Sequence, residues 1–117
     1  MISISNKSKK QQTINKEFYL EGLGLHSGKS VNVLIQPADV NNGIKFIRTD
    51  VESNNTIKAL WSNVSSTNFC TTISNESGVS VSTVEHLMSA LSGLHIDNVN
   101  ILIDNIEVPI MDGSSFP

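Results

Sequence analysis

The chain has 117 residues, the length of a single domain, so a complete two-domain enzyme is not expected within it. Its 38% hydrophobic and 16% charged residues are ordinary for a soluble globular protein. A formal net charge of -3 offers no basic surface for nucleic acid or for an anionic membrane, so neither is expected as a partner.

The chain begins with a polar stretch, residues 1–12, which we expect to be disordered. This stretch lacks the apolar core of a secretory signal, and no apolar run in the chain reaches the roughly 20 residues of a membrane-spanning helix. The single cysteine, Cys70, cannot form an internal disulfide, which agrees with a reducing compartment. We therefore expect a cytoplasmic protein without a transmembrane segment.

Alternation of apolar and polar residues predicts three strands, each with one face on a core. The alternating apolar residues are Val31, Val33 and Ile35, then Ile44 and Phe46, and later Val99, Ile101 and Ile103. A glycine-rich reversal at 21–29 precedes the first strand, and Pro37 ends that strand because proline cannot donate to the ladder. Residues 69–73 and 79–81 predict a hairpin, 50–56 is a polar stretch, and 61–67 is predicted to be irregular.

One helix is predicted, over residues 83–92. Its apolar residues recur at the spacing of a single helix face: Val84, Leu87, Met88, Leu91 and Leu94. Ser82 is predicted as the N-cap with Glu85 as its capping-box partner, and Gly93 is expected to end the helix. Several strands and one helix predict an α+β fold, a mostly antiparallel sheet with the helix packed on one face.

The side of this helix opposite the apolar stripe is unusual in composition. It carries Glu85, His86, Ser89 and Gly93, and Glu85 is the only charge, whereas a solvated helix face normally carries several. Ser89 and Gly93, one turn apart, would let another backbone approach closely. The pattern predicts that a partner covers this face.

Glu85 and His86 are the candidate chemical groups on that face. Imidazole is the commonest metal-ligand side chain, and a carboxylate beside a metal-bound water can take its proton. The residues alone leave two structural roles open: Glu85 as a helix cap and His86 as a half-buried polar residue. The pair is not the HExxH zinc motif, since Ala90 stands where the second histidine would be. His26 and Cys70 lack ligand spacing, and such residues are more often structural.

Five segments occur in the order and spacing of a known enzyme family. They are 22–29 (GLGLHSGK), 48–50 (RTD), 82–87 (STVEHL), 96–98 (IDN) and 109–114 (PIMDGS). Together they resemble the UDP-3-O-acyl-N-acetylglucosamine deacetylases, the zinc hydrolases of lipid A biosynthesis, from about residue 13 to the end. The resemblance implies that residues 13–117 are the amino-terminal domain, one lobe of a two-domain sandwich with the helices facing each other, and that the second, carboxy-terminal domain is absent.

The same resemblance implies roles for particular residues. His86 would be a zinc ligand, and Glu85 the general base that activates the metal-bound water. Phe69 and Cys70 align with a segment near the family's metal and are expected to contact substrate, whereas His26 lies in a family motif without an assigned role. The implied substrate is a UDP-3-O-acyl sugar whose 2-acetamido group is hydrolysed to acetate and an amine. The other zinc ligands, a histidine and an aspartate, would belong to the second domain, so this chain alone is expected to hold zinc poorly and to be inactive.

Two other functions are compatible with these residues. One is a non-catalytic binding or assembly module that docks through the uncharged helix face, and the other is a different metal hydrolase on the same scaffold. Downstream sequence with histidine and aspartate at ligand spacing favours the enzyme, and the acetylated sugar that is consumed distinguishes the two hydrolases.

Overall fold

The structure, a computed structural model, describes residues 11–24, 28–66 and 71–109. Within these ranges the strands are β1 (Phe18–Leu23), β2 (Ser30–Pro37), β3 (Ile44–Arg48), β4 (Thr56–Lys58), β5 (Val64–Ser66), β6 (Thr72–Ser74), β7 (Ser80–Ser82) and β8 (Val99–Ile103). Helix α1 spans Glu85–Gly93, and a 3-10 turn, Trp61–Asn63, precedes β5. Across the same ranges, no helix has the length and apolar character needed to cross a membrane.

The strands form two sheets. The larger has the order β1-β2-β8-β3-β4, and its neighbours are antiparallel except β3 and β8, which are parallel. The smaller has the order β5-β6-β7 and is antiparallel throughout. The predicted α+β fold with a mostly antiparallel sheet is confirmed.

The core is one buried cluster to which the larger sheet, the smaller sheet and α1 all contribute. The alternating residues predicted for β2 and β8 are buried, with Ile35 and Ile101 both at 0% exposure, and Phe46 of β3 is buried beside them. Leu87 and Leu91 of α1 belong to the same buried cluster, so the helix packs against the sheet as predicted.

Two short strands were not predicted: β4, and β5, which lies in the segment 61–67 that was predicted to be irregular. In β4, Ile57 is the one buried residue and pairs with Phe46 of β3, and in β5, Val64 pairs with Ile73 of β6. Strands of three residues are too short to show an alternation in the sequence, so only their pairing partners define them. The predicted hairpin is confirmed over β6 and β7, where Ile73 pairs with Val81.

The predicted capping box at the start of α1 is wrong. The helix begins at Glu85, the N-cap is Val84, and no side chain caps it. Ser82 lies in β7, where its backbone N–H donates to the Ile106 carbonyl at 2.7 Å and its carbonyl accepts from the Val108 N–H at 3.1 Å. Because these tertiary bonds hold Ser82 as part of a strand, it is not available as a cap.

The end of α1 falls one residue beyond the prediction. Gly93 is its last residue, but the left-handed residue is His95, with φ of 59°. The N–H groups of His95 and Ile96 donate to the carbonyls of Ser92 and Leu91, at 3.0 and 2.9 Å. This is the Schellman pairing, with histidine where glycine is usual.

The amino-terminal end of the described chain is tied to the loop after α1. The Gln12 N–H donates to Asp97 Oδ2 at 2.8 Å, and the Gln12 carbonyl accepts from the N–H groups of Asp97 and Asn98. Residues 1–10 of the predicted disordered start lie outside the described residues. The domain boundary near residue 13 stays a prediction.

Candidate active site at the start of helix α1

The backbone of Thr71 forms two hydrogen bonds with the start of α1. The Val84 N–H donates to the Thr71 carbonyl at 3.3 Å, and the Thr71 N–H donates to Glu85 Oε1 at 3.2 Å. The Glu85 carboxylate is therefore oriented by a backbone donor outside α1 rather than by its own helix.

The buried side of α1 agrees with the prediction at Leu87 and Leu91, but Leu94, predicted for the same side, is 57% exposed because it lies beyond Gly93, the last residue of the helix. Leu87, Ala90 and Leu91 are buried, whereas His86, Ser89 and Gly93 are exposed and Glu85 is half-buried. We call Glu85, His86, Ser89 and Gly93 the free face of α1. A Cβ added at Gly93 would meet no atom of the described residues within 4 Å. Within the ranges described here, this side of the helix is therefore open to a further chain or to solvent.

An apolar groove lies beside the start of α1. Its volume is about 270 Å³, and it is lined by Ala59, Leu60, Val64, Thr71, Ile73, Val84 and Met88. Thr71 and Val84 are also the residues that bond at the start of α1. The groove therefore shares two lining residues with the bonds that hold the start of α1.

The other predicted site residues are not described. Phe69, Cys70 and His26 lie outside the described residues, so their substrate contacts or structural roles stay predictions. In the sequence, Cys70 directly precedes Thr71, whose N–H contacts Glu85.

The described residues contain no complete set of metal ligands. No group of three His, Cys, Asp or Glu side chains converges anywhere in 11–24, 28–66 or 71–109. A catalytic zinc ion usually has three protein ligands and one open position. The exposed imidazole of His86 and the adjacent carboxylate of Glu85 fit one ligand and one acid–base group of such a site.

Sequence reasoning missed a buried carboxylate close to the same turn. Glu107 is 2% exposed and accepts a hydrogen bond from Thr83 Oγ1 at 3.2 Å. Thr83 has a φ of 61°, which is unusual for a β-branched residue. A single charge between Ile106 and Val108 was the available signal, because an isolated carboxylate in an apolar run needs a partner when it is buried.

Comparison with known proteins gives one family. The family model described as LpxC, UDP-3-O-acyl N-acetylglycosamine deacetylase, matches residues 11–117. Proteins named UDP-3-O-acyl-N-acetylglucosamine deacetylase from Shewanella pealeana, Wigglesworthia glossinidia brevipalpis and Pseudoalteromonas atlantica are 48%, 46% and 49% identical over 92% of this chain. The matched region is 35%, 36% and 36% of those proteins, so the chain spans about a third of the length of the curated relatives it matches. The chain belongs to the UDP-3-O-acyl N-acetylglycosamine deacetylase family.

Proposed function

We propose that this chain contributes Glu85 and His86 to the active site of a zinc-dependent deacetylase. The reaction is hydrolysis of the 2-acetamido group of UDP-3-O-acyl-N-acetylglucosamine, a step in lipid A biosynthesis. The observation that carries the proposal is that both side chains belong to the free face of α1, with His86 exposed and Glu85 bonded to the Thr71 N–H. Family membership and the names of the relatives support the substrate and the reaction class.

In this reaction Glu85 acts as the general base. The Thr71 N–H holds Oε1, and among the described residues no hydrogen bond is made to Oε2, which is therefore available to take a proton from the attacking water. The same carboxyl group then delivers the proton to the leaving nitrogen, so that acetate and a free amine are released.

His86 holds the metal through its imidazole. When bound, zinc would polarise the amide carbonyl and acidify a water molecule. One histidine is not a complete ligand set, and the described ranges contain no group of three. The remaining ligands, a histidine and an aspartate, then come from the larger part of the relatives' length, since this chain spans 35% of it.

The free face of α1 is the surface that meets those further residues. Residues 13–117 then form one of two domains, and the uncharged positions Ser89 and Gly93 lie where a second helix approaches. A cytoplasmic location, predicted from the sequence, is part of the same proposal. This chain by itself is expected to be inactive.

One observation also favours docking without catalysis. The free face carries a single charge and is open in the described residues, as a binding module would require. The two functions differ in the need for a base, because docking does not depend on the proton affinity of Glu85. Turnover therefore separates them.

The test uses a chimera in which residues 11–117 of this chain replace the matched region of the Shewanella pealeana relative. Glu85→Gln keeps the shape of the side chain but removes the base, so turnover of the UDP-sugar should fall by about 10²- to 10⁴-fold while zinc stays bound. The matched control is Glu76→Gln, the same change at an exposed glutamate in the β6–β7 turn. Near-normal turnover of zinc-loaded Glu85→Gln would eliminate the assigned base, and an inactive, folded, zinc-bound chimera would favour docking.

A further inference from the structure

We propose that Glu107 is a positioning residue for Glu85 and His86. It accepts the hydroxyl hydrogen bond that holds Thr83 in the backbone conformation from which α1 starts. The catalytic consequence rests on the proposed function, whereas the effect on the start of the helix does not.

Glu107 is a buried carboxylate, and its burial is energetically unfavourable without hydrogen bonds. It is 2% exposed, and in the described ranges it and Asn98 are the only buried polar or charged residues. Burial of a carboxylate is unfavourable unless hydrogen bonds satisfy it. The bond from Thr83 Oγ1 to Glu107 Oε2, at 3.2 Å, supplies part of that compensation.

Thr83 is the residue at which the chain turns from strand into helix. Ser82 before it ends β7, and Val84 after it is the N-cap of α1. Its φ of 61° lies in the left-handed region, where the Cβ of a β-branched residue is crowded. Such a conformation persists only where the surroundings hold it.

The residues on both sides of Thr83 are fixed by backbone bonds. Ser82 forms a parallel bridge with Glu107, and Val84 donates to the Thr71 carbonyl. The conformation of Thr83 therefore sets the direction in which the first turn of α1 leaves the strand. A change at Thr83 would move Glu85 away from the Thr71 N–H.

This role differs from that of an ordinary core residue. An apolar side chain at position 107 could fill the space, but it could not accept a bond from the Thr83 hydroxyl. Loss of the acceptor should then disturb the first turn of α1 more than it disturbs the sheet.

Amide hydrogen exchange on the full chain tests the proposal without any activity measurement. Thr83→Val removes the hydroxyl and keeps the shape, and Thr83→Ser is the matched variant that keeps the hydroxyl. In Thr83→Val, exchange at the Thr71 N–H should become about tenfold faster relative to Ile101 in β8, and in Thr83→Ser the ratio should return to the wild-type value. Equal acceleration at Thr71 and Ile101, or an unchanged Thr71, would overturn the proposal.

A rescue experiment distinguishes positioning from packing. Glu107→Met removes the acceptor with little change in length, and it should accelerate exchange at Thr71. Adding Thr83→Gly should restore slow exchange, because glycine adopts a positive φ without steric cost. Failure of that rescue in a folded double variant would contradict the proposal. If Glu107→Met does not fold, the comparison of Thr83→Val with Thr83→Ser still tests the proposal.

The chimera gives the catalytic readout. Thr83→Val should lower kcat by about ten- to a hundredfold with little change in KM, since the base is misplaced rather than removed. Thr83→Ser should restore kcat, and a loss confined to KM would overturn the positioning role. A chimera that is inactive with the wild-type residues would contradict the proposed function alone, because the exchange result on the chain does not depend on it.

Discussion

The division of α1 into a buried side and the free face can be tested at Leu91. This side chain is 0% exposed and packs in the same cluster as Val33 and Ile101. Truncation to alanine removes its buried methyl groups and leaves a cavity, so Leu91→Ala should lower the free energy of unfolding by about 3 kcal/mol. The total free energy of unfolding of small domains is about 5–15 kcal/mol, so this loss would be a large fraction of it.

Urea denaturation followed by far-UV circular dichroism measures this effect. The midpoint should fall while the slope m stays constant, since the fold and the area it buries are largely kept. The matched control is Ser89→Ala, an exposed position two residues earlier on the free face, which should change stability by less than about 0.5 kcal/mol. Comparable losses at the two positions would refute the assignment of the faces.

Three further predictions concern segments that hold the site. Hydrogen bonds from Arg48 hold the pKa of the Asp50 carboxyl below its usual 3.8. The pair therefore stabilises the folded state above pH 3.8, and this contribution is lost as the pH falls through the pKa of Asp50 in the folded state. Asp50→Asn should therefore cost about 0.5 kcal/mol at pH 7 in urea unfolding, and a difference from wild type that persisted well below pH 3.8 would contradict this account. His95→Gly should stabilise the chain by about 1 kcal/mol, because glycine suits the φ of 59°, and a lowered thermal midpoint would argue against the left-handed cap. The Asn75 side chain makes four hydrogen bonds to backbone groups, so Asn75→Ala should cost about 2 kcal/mol in urea unfolding, and no loss would mean that these bonds do not fix the turn.

The sequence predicts the strongly patterned elements of this fold. The alternation at Val99, Ile101 and Ile103 reports burial on one face directly, and the structure buries all three residues. The parallel pairing of β8 with β3 is not readable in the same way, because residues 99–103 and 44–48 are far apart in the chain and no local pattern specifies the partner. Strand β4 is not predicted for another reason, because its single buried residue, Ile57, makes no repeating pattern in the sequence.

For the candidate site too, features set by the local pattern are predictable from the sequence, and features set by tertiary contacts are not. Helical spacing is enough to predict that His86 lies outside the apolar stripe that contains Leu87 and Leu91, because the period of the helix fixes relative directions. The capping prediction at Ser82 fails because strand bonds from distant residues use its backbone. The only local signal for the burial of Glu107 is its position between Ile106 and Val108, because a lone carboxylate is usually exposed and its bond to Thr83 joins segments that only the fold brings together.

The central claim is that the imidazole of His86 is a zinc ligand, and metal content tests it most directly. His86→Asn and His95→Asn make the same change at two exposed histidines, and only the first lies on the free face of α1. After dialysis of the chimera, elemental analysis should find zinc largely lost from His86→Asn and retained at wild-type stoichiometry in His95→Asn. Equal zinc in the two variants would contradict the account.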